Sequence, residues 1–323
     1  MKDTLRWAYA INQWNYRMDV FVRHEDQRRA LKTLSVLGFD TVELSAGSGR
    51  WDNMGRPEVI SINHGGPAGF LNFLRGCAVV GVSSFFWDPG APAEEEGWAF
   101  WSSRDPADHD AIVKASRPFV DFLAEVGGDQ LVVRPTSSAW MAPPLGPDDA
   151  KVVGELWNRV GALAADSGVG VALHHDCLSP FHTWEQVSEL LDATDPRLVG
   201  LALDTAEFQV SGIDPVAFYE AHQDRVTHVH LKDTRHVDTG QEYLMPGAET
   251  TMLRGGGGRH IERWFYELGG EGGLVDVPAF VTALRRRSYQ GWVVVESDKG
   301  GNPAELAMLN SWFIQHRLGV SRV

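Results

Sequence analysis

Short runs of Val, Leu, Ala and Phe recur along the chain, separated by longer stretches in which apolar and polar residues alternate with helical spacing. The short runs predict strands over 7–13, 41–45, 78–86, 130–134, 169–174, 199–204, 226–231 and 292–296. Helices are predicted over 24–37, 68–75, 108–126, 147–167, 184–193, 214–222, 277–287 and 303–318, several opened by Asp or Pro and closed near Gly. Strict alternation of apolar strands with helices implies a parallel sheet covered on both faces. Eight such units predict one α/β domain over 1–323, a single (β/α)8 TIM barrel. A Rossmann sheet is the competing architecture, but no strand runs into a Gly-x-Gly-x-x-Gly turn that opens a helix, and the glycine run 255–258 sits in a long loop and reads as a linker.

Two connections, 87–106 and 232–276, exceed the usual length and are expected as insertions. Both follow strands and so project from the C-terminal face, where barrel active sites are built. The first carries Trp87, Trp98, Phe100 and Trp101, aromatic rings that suit either the wall of a pocket for a sugar ring or aglycone, or packing and subunit contact. Subunit contact through these rings would make the expected assembly a homo-oligomer.

Charge narrows the partners. Lys and Arg number 29 against 43 Asp and Glu, a formal charge of -14, which repels nucleic-acid phosphates and anionic lipid. No apolar stretch reaches the roughly 20 residues that span a bilayer. Cys77 and Cys177 are too few for a disulfide framework, and residues 1–14 lack the basic-then-apolar profile of a signal peptide. A cytoplasmic enzyme with a small-molecule substrate, with neither nucleic acid nor membrane as partner, is the expectation.

Candidate chemistry lies at the strand ends. The fifth predicted strand closes with His174, followed by His175 and Asp176; the sixth closes with Asp204, the seventh carries His230, and the eighth closes with Glu296. In a barrel these ends converge on one axis, and nitrogen plus carboxylate oxygen suits one divalent Mn, Co, Zn, Fe or Mg ion with open positions. Each residue alone has a duller reading. Asp204 could cap the following turn, Glu296 could pair with Lys299, and of His228 and His230 one is expected toward the barrel and the other toward the helix layer. Their coincidence on consecutive strands is what points to a cation. Trp14 after strand one, Glu43 and Arg134 occupy positions where substrate contact is expected.

The segments Leu203-Asp204-Thr205, His228-Val229-His230-Leu231-Lys232-Asp233-Thr234-Arg235 and Gly291-Trp292-Val293-Val294-Val295-Glu296, with Gly38-Phe39-Asp40-Thr41-Val42-Glu43-Leu44, resemble the sugar isomerase/epimerase (xylose isomerase-like, AP endonuclease family 2) barrels, most closely the inosose dehydratase branch. The resemblance implies Asp204, His230 and Glu296 as ligands of a divalent metal, Mn first among the candidates. His174 stands where the wider family has a glutamate. Glu207 stands where its Asp-Thr-Gly-His pattern has histidine, which marks Glu207 as a substitute ligand or base. It further implies proton removal from a keto sugar, keto-glycoside or cyclitol through a metal-stabilised enediolate, with His175, His174 or Glu207 as base and Lys232 and Arg235 holding a hydroxyl or oxyanion. Expulsion of a β-substituent gives a lyase or dehydratase, the favoured outcome; reprotonation gives an isomerase or epimerase. A catalytic subunit that cleaves oxidised C-glycosides, which would work in a complex with a second subunit, is a further alternative, and a non-enzymatic sugar sensor is remote. Endonuclease IV, the DNA-repair relative, is disfavoured by the acidic charge and by a single plausible metal set.

Overall fold

Residues 5–14, 24–46, 54–89, 101–137, 144–245, 265–297 and 302–320 are described in the computed structural model. Eight parallel strands close into a barrel: β1 (Arg6–Ala10), β2 (Thr41–Ala46), β3 (Gly81–Trp87), β4 (Gln130–Val133), β5 (Gly170–His174), β6 (Val199–Asp204), β7 (Val226–Leu231) and β10 (Trp292–Val295). Each strand pairs with its neighbours in sequence order, and β10 closes the ring between β7 and β1. Two short strands, β8 (Asp233–Thr234) and β9 (Phe265–Tyr266), pair antiparallel within the second long connection. Around the barrel lie α1 (His24–Val36), α2 (Pro57–His64), α3 (Pro67–Arg75), α4 (His109–Val126), α5 (Asp149–Ala165), α6 (Trp184–Asp192), α7 (Thr205–Val210), α8 (Pro215–His222), α9 (Val277–Arg286) and α10 (Pro303–Arg317). Among the described residues, no helix is long and apolar enough to cross a membrane.

The strands carry different chemistry on their two faces. Outward-facing Leu173, Leu201, Leu203, Val229, Leu231, Val293 and Val295 join the large core between sheet and helices. There Phe85 and Trp87 of β3 engage Phe119 of α4 at 5.0 and 5.1 Å between ring centroids. The barrel interior is filled more sparingly, by one cluster of Ala8, Ala10 and Val294 and another of Val132, Ala172 and Ala202 against Phe86. Small side chains there leave volume for polar groups nearer the C-terminal ends. At the opposite end, the Arg6 guanidinium lies over the Trp292 ring at 3.9 Å and pairs with Asp129 at 2.8 Å, while the Trp292 indole N–H donates to Asp129 at 2.9 Å.

The predicted strands are all present, with shifted ends. The first stops at Ala10 and continues as a 3-10 turn, Ile11–Trp14. Two helices were not anticipated. α2 lies in a stretch with Gly or Pro at positions 55, 57, 65, 66 and 67 that reads as a loop, yet Pro57 suits a first helical position and Gly65, in the left-handed region, ends the helix. α7 begins directly after Asp204 and is only 6 residues long, too short for a periodic signal. In the aromatic loop the packing alternative holds for two rings: Trp87 is buried against Phe119 and Trp101 packs on the outer core, while Trp98 and Phe100 lie outside the described residues. The glycine run 255–258 lies outside them as well.

Close backbone approach fixes α5. A Cβ on Gly161 would lie 2.7 Å from the Leu198 carbonyl oxygen, and one on Gly154 would lie 2.5 Å from that of Ala193. Alanine at an unhindered helix site gains about 1 kcal/mol over glycine, but overpacking against backbone costs about 1–3 kcal/mol. Gly161→Ala is therefore expected to lower the urea midpoint of unfolding, and a raised midpoint would contradict the close approach.

Candidate active site

The C-terminal ends of β5, β6, β7 and β10 bring His174, Asp204, His230, Lys232 and Glu296 into one buried cluster. Asp204 Oδ2 lies 3.2 Å from His174 Nε2, 3.7 Å from His230 Nδ1 and 3.1 Å from Lys232 Nζ. Glu296 Oε2 lies 3.1 Å from His230 Nδ1 and 3.0 Å from the same ammonium, and Oε1 accepts from Asn12 Nδ2 at 2.5 Å. Phe86 forms an apolar wall, its ring 5.2 Å from that of His174 and 6.1 Å from that of His230.

Asp204 caps the following turn, one of the readings that the sequence left open, and also contributes to the cluster. Its Oδ1 caps α7 by accepting from the N–H groups of Ala206 and Glu207 at 3.0 and 3.1 Å, which leaves Oδ2 for the cluster. Thr205 then locks α7 to the end of β7, donating its hydroxyl to the Lys232 carbonyl at 2.6 Å and accepting from the Lys232 N–H at 2.9 Å. Glu296 engages Lys232; Lys299 lies outside the described residues.

Residues two apart on a strand share a face, so His228 and His230 both project into the barrel, and the expectation that one would face the helix layer is corrected. Both reach Glu43, whose Oε2 accepts from Ser84 Oγ at 2.7 Å and lies 3.0 Å from His228 Nε2, while Oε1 lies 2.8 Å from His230 Nε2. Glu43 is buried like the cluster residues, and both of its oxygens are engaged by these partners.

A second tier runs along the rim. Arg134 pairs with Asp88 at 3.2 Å and with Asp176 at 3.4 Å, and Asp176, Cys177 and Glu207 offer donor atoms within 4.8 Å of one another. Glu207 is buried, with Oε2 accepting from the Cys177 N–H at 2.9 Å. Three predicted residues stand elsewhere. His175, next to His174, necessarily points the other way: its ring packs on Phe208 at 4.5 Å, its Nε2 lies 3.1 Å from Ser211 Oγ, and it borders a space lined by Leu173, Leu190 and Leu201. That orientation removes it from the role of base at the axis. Arg235 stacks over Tyr266 at 3.9 Å and pairs with Glu267 at 3.3 Å, a contact set that includes none of the cluster residues. Trp14 is buried against Tyr9, 6.1 Å between ring centroids.

Asn12, Ser84, Phe86 and Asp88 were missed by the sequence reading, since single polar or aromatic residues on strands or just beyond their ends carry no motif. Asp233 is a staple for the second long loop, accepting from the N–H groups of Thr234, Gly269, Leu274 and Val275.

Burial alone would raise the carboxyls and lower the imidazole, but mutual charge overrides it. Lys232, then His174 and His230, hold Asp204 well below the usual carboxylate range, and Lys232 with His230 holds Glu296 at about 2. Glu43, acting first, with Asp204 and Glu296, raises His230 well above the ordinary imidazole value. The carboxylates are thus ionised and available as ligands at neutral pH.

The residues fit a cation. Donor atoms of His174, Asp204 and His230 lie within 4.8 Å of one another, all three residues are buried, and His174 Nδ1 and His230 Nδ1 lack a partner in hydrogen-bond geometry. Glu296 adjoins this set through His230. Mixed nitrogen and oxygen donors suit the divalent first-row metals.

Residues 31–313 match the family described as Xylose isomerase-like TIM barrel, and the chain belongs to that family. Among curated relatives, inosose dehydratase 1 of Bacillus cereus is 30% identical over 215 residues, covering 62% of this chain and 68% of that protein. The inosose dehydratase of Geobacillus thermodenitrificans is 28% identical over 235 residues, covering 69% and 75%. Among solved structures, a D-allulose 3-epimerase from Methylomonas sp. in complex with D-allulose superposes with a TM-score of 0.67 at 16% identity, covering 97% of each chain. The probable 3-DHS dehydratase of Bacillus anthracis does so with 0.69 at 12% identity, covering 97% of this chain and 100% of that one. These structures share the fold.

Burial pushes the His175 imidazole down to about 4, so it stays neutral in the fold where an unfolded chain would protonate near 6.5. Its contribution is whole above pH 6.5 and is lost as the pH falls toward 4. Between pH 7 and pH 4 that loss amounts to about 3 kcal/mol. Urea unfolding at the two pH values is expected to show wild type losing about that much more stability than His175→Gln; equal losses would contradict the assignment.

Proposed function

We propose that this protein is a divalent-metal-dependent enzyme that removes a proton beside the carbonyl of a keto sugar, keto-glycoside or cyclitol and expels a β-hydroxyl, as a dehydratase of the inosose class. The observation that carries the reading is the convergence of His174, Asp204, His230 and Glu296, with nitrogens that lack hydrogen-bond partners, at the barrel's C-terminal end. The names of the curated relatives, inosose dehydratases, support a carbohydrate-acting enzyme.

His174, Asp204, His230 and Glu296 would hold the cation. A divalent ion there supplies Lewis acidity toward a substrate carbonyl. Lys232, with its ammonium between Asp204 and Glu296, is the group assigned to a substrate oxygen and to the proton that the departing hydroxyl needs. Glu207 is assigned as the base, since its backbone N–H is held by Asp204 and its carboxylate belongs to the rim cluster with Asp176. Arg134, fixed between Asp88 and Asp176, presents charge-assisted donors to the rim where substrate hydroxyls enter.

Purified protein is expected to contain one divalent ion and to convert an inosose with loss of water, and a chelator is expected to abolish turnover. Asp204→Asn should lose both metal and activity. Glu207→Gln and Lys232→Met should keep the metal while kcat falls about 10²–10⁴-fold. Product analysis by NMR separates dehydration from epimerisation. Full turnover of chelated, metal-free protein would overturn the metal-dependent reading.

A further inference from the structure

We infer that Glu43 is a positioning residue for this site: fixed by Ser84 and His228, its carboxylate turns the His230 ring so that Nδ1 is the nitrogen presented to the cation. The inference rests on the cation reading proposed above. Glu43 stands on β2 and reaches across the barrel to β7, 2.8 Å from His230 Nε2. On the far edge of the same ring, Nδ1 faces Glu296 Oε2 at 3.1 Å and Asp204 Oδ2 at 3.7 Å. A ligating imidazole has one lone pair to give, and a carboxylate beside one nitrogen keeps the proton there and the lone pair on the other.

The carboxylate is itself held. Its second oxygen accepts from Ser84 Oγ at 2.7 Å and lies 3.0 Å from His228 Nε2. The strand is adjusted to bring it there, since the β2–β3 register shifts between Val42 and Glu43. Such an irregularity re-aims a side chain. Both oxygens are thus engaged inside the barrel, beneath Asp204 and Glu296. Glu43, His228 and His230 also offer donor atoms within 4.8 Å of one another, so a second cation at Glu43 is the alternative the experiment must separate.

The test uses the full chain with zinc and cadmium as probes. Zinc affinity by chelator competition is expected to weaken about 10–100-fold in Glu43→Gln. Ser84→Ala, which touches Glu43 and neither proposed histidine ligand, is expected to weaken it by about five-fold, the equivalent of one lost hydrogen bond. In the cadmium-loaded protein with nitrogen-labelled histidine, metal–nitrogen coupling is expected at His230 Nδ1 and to be altered in Glu43→Gln. Coupling at His230 Nε2 would overturn the inference, as would a second equivalent of zinc that disappears in Glu43→Gln. Wild-type zinc affinity in both folded variants would overturn this inference alone, whereas a wild-type protein that binds neither metal would overturn the cation reading with it.

Discussion

Three carboxylates, those of Glu43, Asp204 and Glu296, are buried around a single imidazole, and the rest of the site is arranged to make that tolerable. An isolated buried carboxylate is costly enough that it would ordinarily take up a proton. Here the Lys232 ammonium bridges two of them and His230 touches all three, so each stays ionised. The arrangement is a network, and removing one charge would leave its neighbours uncompensated in a medium of low dielectric. The small residues lining the barrel, Ala8, Ala10, Ala172 and Ala202, belong to the same solution, because larger apolar chains would leave no room for the polar groups.

Much of this was legible in the sequence because strand ends in a barrel converge whatever their separation along the chain. Asp204, His230 and Glu296 could be nominated by position alone, with His174 beside them. Face alternation was also available but more easily misapplied. His174 and His175 are adjacent and must point to opposite sides, so only one could reach the axis, while His228 and His230 must point to the same side. The role of Glu43 could not be read locally: its partner His228 lies 185 positions away, and nothing near residue 43 shows that its carboxylate meets an imidazole. Arg235 reads as part of the strand-seven motif, yet β7 ends at Leu231, and the chain beyond is steered by the Asp233 staple into a loop where Arg235 meets Glu267.

Burial does not by itself decide what a histidine in this fold can do. His175 and His230 are both buried, yet one has its basicity suppressed and the other has it raised. The difference lies in the neighbours on each face of the sheet. His175 has an aromatic ring and a serine hydroxyl; His230 has three carboxylates. The outward face can accept only a neutral imidazole, which makes His175 a packing residue with one polar contact. The inward face concentrates negative charge at a point where a positive group is required, and that demand is met in this structure by Lys232 and His230 together. A divalent ion would answer the same demand, since the oxygens that stabilise an ammonium are the oxygens a metal would use.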